Sequence, residues 1–247
     1  MNRIFLASSL LAVSLISCSF ASRLLSTVQD GSPEIVQHDK PDLPVNIQPF
    51  IEAGCSGENL YVMECAADSP LHALGCDYLS VNTVSGGLRP GYAVATCGRR
   101  DTSGEPPNPD LFNKTGCLFT PLYQSVVVSV DGEFRLVNDT VSFQVLFAPI
   151  ESEAEALAYA QLVTGLNAIY GWEVGDDSPY KYHVDRLEDT HVVKTDECYI
   201  VSLFSDPEPL CGCATHTVYQ RDVLVRSSGQ VEIVKSMPLY DFEACID

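Results

Sequence analysis

Ser152-Glu-Ala-Glu-Ala-Leu-Ala-Tyr-Ala-Gln-Leu-Val-Thr-Gly165 is the stretch whose reading decides the fold class. Ser152 followed three residues later by Glu155 is a capping box, in which each side chain satisfies an amide left free at a helix start. Ala154, Leu157, Ala158 and Leu162 recur at helical spacing, and Thr164-Gly165 is a stop signal. One amphipathic helix is therefore predicted over about 153–164. The flanks read as strand. Ser125–Val130 and Phe134–Val137 surround Asp131-Gly132, a two-residue hairpin turn. Val141, Phe143, Val145 and Phe147 alternate with Ser142, Gln144 and Leu146, a strand period that Pro149 ends. Downstream, Tyr182–Leu187, His191–Lys194 and Tyr199–Phe204 are candidate strands. The clearest hairpin is Val218–Arg226, the turn Ser227-Ser-Gly229, and Gln230–Lys235. Its Val223 and Val225 match Val231 and Ile233, while Arg226, Gln230, Glu232 and Lys235 suit a wet face. The predicted class is α+β: mostly antiparallel strand, stapled by disulfides, with one main helix packed on a C-terminal antiparallel sheet. The absence of an alternating βαβ series argues against a doubly wound nucleotide fold.

The first 21 residues read as a secretory signal peptide. Arg3 is the positive n-region, Ile4–Ile16 the apolar core, and Ser19-Phe20-Ala21 places small residues at −3 and −1 of a cleavage before Ser22. An uncleaved anchor is the competing reading, with an apolar run of about 18 residues at the lower edge of spanning length. Leu15-Ile16-Ser17-Cys18 resembles the lipobox of exported bacterial lipoproteins. That resemblance implies lipidation of Cys18 and a periplasmic or cell-surface location. The alternative is that Cys18 is discarded and the protein is extracellular. Residues 22–50, with Pro33, Pro41, Pro44 and Pro49 among polar residues, read as an arm or tether with no core of its own. A Cys-rich strand-and-loop half follows at 51–117, closed by the loop Asp101–Asp110. An α+β half occupies 118–247.

Ten cysteines in 247 residues are too many for an ordinary reduced cytosolic protein. Nine survive loss of the leader. Cys55, Cys65, Cys76, Cys97 and Cys117 form an early group, and Cys198, Cys211, Cys213 and Cys245 a late one. A bond between Cys211 and Cys213 would be strained across one glycine. These two are expected to pair outward, to Cys198 and Cys245 in some order. The early five leave one odd thiol, free or shared between copies in a homo-oligomer. Cys211-Gly-Cys213-Ala-Thr-His216 also offers zinc ligands, but an oxidising location favours disulfides. Asn113 and Asn138 head glycosylation sequons that matter only in a eukaryotic host.

The formal net charge is −19, which argues against a nucleic-acid partner because phosphate backbones select basic surfaces. Loss of the leader removes Arg3 and no acid, giving −19 − 1 = −20. No His-Glu-x-x-His, Gly-x-Ser-x-Gly, P-loop or dinucleotide fingerprint occurs, and no cofactor is expected. His183, His191 and His216 all fall in the C-terminal half, and three converging imidazoles would make a catalytic zinc centre. Separate strands carrying three unrelated histidines is the plainer alternative. His38 lies in the arm and His72 in a Cys-rich loop. Glu151, Glu153 and Glu155 suit the positive end of the helix. Asp176-Asp177 reads as a solvated turn, and Trp172 as core packing.

The order of elements from Ala148-Pro-Ile150 to the last hairpin, with the phrases Glu-Ala-Leu-Ala-Tyr-Ala and Leu-Glu-Asp-Thr-His, is loosely similar to cystatin-like and PepSY-like folds. The resemblance implies one helix on a curved antiparallel sheet over roughly 100 residues. No counterpart of the cystatin inhibitory loops is present, so protease inhibition does not transfer. The expected function is that of a non-enzymatic exported protein, secreted or lipid-tethered. It would bind a protein or extracellular ligand, or build envelope structure, meeting a membrane only through Cys18. The alternatives are a secreted hydrolase with a dispersed, metal-dependent site and a self-assembling extracellular protein.

Overall fold

The computed structural model describes residues 32–59, 62–100, 122–173, 180–208 and 211–246. Cys18, Asn113, Cys117 and the Asp176-Asp177 turn lie outside them. A short strand β1 (Glu34–Val36) opens the described chain, and a turn of helix α1 (Gln48–Glu52) follows it. The first sheet is a six-stranded antiparallel meander in the order β2 (Cys55–Asn59), β3 (Val62–Cys65), β4 (Tyr78–Ser80), β5 (Ala93–Arg100), β6 (Leu122–Val130) and β7 (Glu133–Val137), with α2 (Pro70–Ala73) between β3 and β4. Two helices come next, α3 (Thr140–Phe147) and α4 (Glu153–Thr164). They lead to β8 (Lys181–Tyr182), β9 (Arg186–Glu188), β10 (Val192–Lys194), β11 (Cys198–Phe204), β12 (Gly212–Arg226) and β13 (Val231–Ile246). The second sheet is antiparallel in the order β10-β11-β12-β13-β8, while β9 pairs in parallel with β1. The molecule is a strand-rich α+β protein.

Local chemistry places these elements. Asp131 and Gly132 take positive φ of 53° and 83°, the turn geometry that suits the twist of two flanking strands. The β12–β13 hairpin has the predicted register, Val223 opposite Ile233 and Val225 opposite Val231. α4 begins on the capping box: Ser152 Oγ accepts from the Glu155 amide, and the Glu155 carboxylate accepts from the amides of Ser152 and Glu151. It ends at Gly165, whose left-handed φ of 66° lets its amide donate to the Gln161 carbonyl.

Three features depart from the sequence reading. Residues 141–147 are helix rather than strand. Asp139 caps α3 by accepting from the Ser142 amide at 2.7 Å. In a helix the alternating apolar residues divide between faces: Phe143 and Phe147 are buried, whereas Val141 and Val145 are 68% and 79% exposed. Second, α4 is not amphipathic. Ala156, Leu157, Ala158, Tyr159, Ala160, Leu162 and Val163 are all buried, the signature of a helix covered on every side. One side lies against β10, β11 and β12. Another meets the turn Ser85-Gly86-Gly87 of the first half, where a Cβ on Gly87 would stand 2.4 Å from the Ala154 carbonyl oxygen. One core therefore joins Val94, Val126 and Val128 of the first sheet to Val201, Val223 and Val225 of the second through α4.

Third, the arm is docked. Ile35 packs with Leu187, Leu43 against the common core, and Phe50 is fully buried among Met63, Leu79 and Val127 of the first sheet. Prolines keep this segment extended, and its scattered apolar residues seat it. The first sheet also runs on through β6 and β7 to Val137, past the expected boundary at 117, so the ladder between β5 and β6 crosses it.

Disulfides close both sheets: Cys55–Cys65 across β2 and β3, Cys76–Cys97 from the start of β4 to β5, and Cys213–Cys245 across the open end of the β12–β13 ribbon. Cys211 is also disulfide-bonded, which removes the thiolates that a Cys-Gly-Cys zinc site needs. Cys198 departs from its expected disulfide: it is buried, with Sγ 2.8 Å from Thr195 Oγ1. No helix among the described residues is long and apolar enough to cross a membrane.

Candidate functional site

The parallel pairing of β1 with β9 sets Ile35 beside Leu187 and Val36 beside Glu188. The last residue of β9 and residues just beyond β1 and β9 then meet. His38 Nε2 lies 2.9 Å from Glu188 Oε1, and His191 Nδ1 lies 3.9 Å from that same oxygen. The two imidazoles stack, with centroids 4.8 Å apart and planes inclined by 30°. One ligand atom from each of His38, Glu188 and His191 falls within 4.8 Å of the others, the one such set of three among the described residues. All three side chains keep contact with solvent, at 38%, 27% and 22% exposure.

Asp189 holds this arrangement from beneath. It is buried, and its carboxylate accepts from the amides of His38 (3.2 Å), Gly171 (2.9 Å) and Trp172 (3.3 Å). Its main-chain oxygen lies 2.9 Å from His191 Nδ1. One residue thus ties the arm, the loop after α4 and the His191 ring together. Three donated amides also answer the cost of burying a carboxylate. Arg186 Nη2 stands 3.2 Å from Glu188 Oε1. Burial pushes the Glu188 carboxyl up, but the His38 hydrogen bond and the charges of His191, Arg186 and His38 outweigh it and hold the group below its ordinary value.

His183, His191 and His216, the candidates for a three-imidazole centre, lie apart, as the plainer alternative has them. Only His191 belongs to the cluster. His183 Nε2 lies 2.8 Å from Asp241 Oδ2, and Thr217 Oγ1 donates to Asp241 Oδ1 at 2.8 Å. This Thr–Asp–His row has the carboxylate in the middle. A nucleophilic relay needs the imidazole between hydroxyl and carboxylate, so the row orients side chains without activating the hydroxyl. Burial raises the Asp241 carboxyl, but the Thr217 and His183 hydrogen bonds with the charges of His183 and Lys181 outweigh it, leaving the group below its ordinary value. His216 is fully buried, its Nε2 near the carbonyls of Gly212 (3.1 Å) and Ala244 (3.0 Å), where it ties the ribbon end together.

His38 and Glu188 were missed as site residues because 150 positions separate them. The one local signal is the pair of apolar residues, Ile35-Val36, ahead of His38. It marks a short strand inside a segment that otherwise reads as a tether. Trp172 packs edge-on to Phe204 at 5.3 Å and to Tyr240 at 6.1 Å, and Glu155 is spent on the helix cap. Comparison with family models, curated proteins and solved structures finds no match for this chain.

Proposed function

We propose that this chain is an exported, non-enzymatic protein, secreted or tethered through a lipid on Cys18, that binds an extracellular partner or contributes to envelope structure. The disulfide arrangement carries this reading. Three bonds among the described residues brace both sheets, and bonds of this kind persist where the surroundings are oxidising. The separation of His183, His191 and His216 into different structural roles weighs against the dispersed hydrolase that those residues would have served. The contacts of α4 with β10, β11 and β12 support the helix-on-sheet unit that the resemblance to cystatin-like and PepSY-like folds would imply. The acidic surface keeps the exported protein soluble and repels nucleic acid.

The test expresses the full chain with its leader in a bacterial host, locates it by fractionation and determines the mature N-terminus by mass spectrometry. The expected product lies outside the cytoplasm and begins at Ser22 or at lipidated Cys18. A full-length cytoplasmic product would overturn export. The purified protein is then given ester, peptide and glycoside substrates with and without added zinc. No turnover is expected, and turnover lost in a His183→Ala or His191→Ala variant would restore the hydrolase reading.

A further inference from the structure

We propose that His38, Glu188 and His191 bind a divalent ion of the zinc class, and that this ion clamps the arm to the body of the protein. The donor set is two imidazole nitrogens and one carboxylate oxygen. That mixture suits zinc and its first-row neighbours, whereas calcium and magnesium call for oxygen throughout. Zinc sits about 2.1 Å from such donors, which puts tetrahedral ligand atoms about 3.4 Å apart. The His38–Glu188 separation of 2.9 Å and the 4.8 Å limit over all three bracket that spacing. Only small side-chain movements are needed.

The supporting shell is in place. Metal-binding histidines are held by hydrogen bonds to carbonyls or carboxylates behind them. Asp189 supplies one such bond, its carbonyl taking Nδ1 of His191 and leaving Nε2 of that ring to meet the ion, while its carboxylate fixes the main chain of His38. Partial exposure gives the ion an entry path and leaves room for water to complete its coordination. The chain as a whole, with a formal net charge of −19, attracts cations. Arg186 is the competing cation on Glu188 Oε1, and an entering ion takes its place there. Binding also replaces the hydrogen bond between His38 and Glu188, releasing any proton it carries. Because His38 belongs to the arm, Glu188 ends β9 and His191 follows it, occupancy locks β1 onto β9. The inference is independent of export.

The experiment uses oxidised, full-length protein without a polyhistidine tag, titrated with Zn²⁺ by calorimetry and with Co²⁺ by visible absorption. One ion per chain is expected, with Co²⁺ bands typical of nitrogen and oxygen ligation. His38→Ala, His191→Ala and Glu188→Gln should each weaken binding by about tenfold or more. His72→Ala, an exposed histidine elsewhere, should bind as the natural chain does. Glu188→Gln keeps the size and hydrogen bonding of the side chain, so it reports on the ligand if an alanine variant fails to fold. Zinc should also slow hydrogen exchange at the amides of 35–39, and His38→Ala should abolish that protection. Failure to bind one ion per chain, or binding unchanged in any folded variant of the three, would overturn the proposal.

Discussion

Tyr159 is fully buried in the common core, with its ring 5.0 Å from that of Phe143, and its hydroxyl has no hydrogen-bond partner among the described residues. Burial pushes its pKa up to about 12. A buried hydroxyl that makes no bond costs free energy, so removing it should do no harm. Tyr159→Phe is expected to leave stability unchanged or raise it by up to about 1 kcal/mol in urea denaturation. A clear loss would show that the hydroxyl is bonded in solution. Asp241 works the other way. Its carboxyl is held below the ordinary range, so the folded chain takes up a proton there less readily than the unfolded one. Its contribution is complete above the unfolded carboxylate range, near pH 4, and is lost as pH falls through the lower folded-state value. Asp241→Asn should therefore be less stable than the natural chain at neutral pH, with the gap closing below about pH 4. Melting temperatures across that range check this, and parallel curves would refute it.

At the scale of the element, α3 shows how a period can mislead. Val141, Phe143, Val145 and Phe147 satisfy a strand template, but an i, i+4 pair also shares a helix face. Asp139 decides between them by capping, and the sequence reading of Asn138-Asp-Thr140 as a glycosylation sequon hid that role. Asn138 is exposed, where β7 passes into α3. If α3 is a helix, Val145→Glu should change stability by no more than about 0.5 kcal/mol, while Phe143→Ala should cost about 3–5 kcal/mol. A strand would make both costly or both cheap, and denaturant titration separates these cases. α4 was legible in its ends but not in its surroundings. Ser152, Glu155 and Gly165 announce where it starts and stops, because caps are local chemistry. Its burial on the face toward Gly87 depends on a turn more than sixty positions away, and nothing local encodes that. The Ser85-Gly86-Gly87 turn was legible as a turn, but its glycines serve a second purpose. A Cβ on Gly86 would stand 2.4 Å from the Pro44 carbonyl oxygen of the arm, as one on Gly87 would from α4. Gly87→Ala should cost about 1–3 kcal/mol by forcing the helix away, measured by thermal unfolding, and a neutral result would mean that α4 lies further from the turn.

For the whole molecule, cysteine spacing and the Pro-rich stretches suggested two stapled halves with a tether, and packing makes them interdependent. α4 lies between the sheets, and the arm runs from β9 beside the second sheet to the core of the first. The halves should unfold together. Trp172 fluorescence, which reports the second sheet, and far-UV circular dichroism should give one coincident transition. Two resolved transitions would mean that the common core does not couple the sheets. The candidate site shows the same limit of legibility. His191 was visible as a metal-ligand candidate, but its neighbours His38 and Glu188 come together only through a parallel strand pairing between distant segments. The disulfides were legible as a class, since composition alone signals oxidation, whereas their partners depend on strand register: Cys55 opposite Cys65 and Cys213 opposite Cys245.

That register joins fold to the proposed location, and peptide mapping of the exported protein tests both. The protein would be recovered from the medium or envelope, alkylated without reduction and digested. Disulfide-linked peptides joining Cys55 to Cys65, Cys76 to Cys97 and Cys213 to Cys245 are expected. Recovery of those six cysteines as alkylated thiols, from a protein retained in the cytoplasm, would contradict the account.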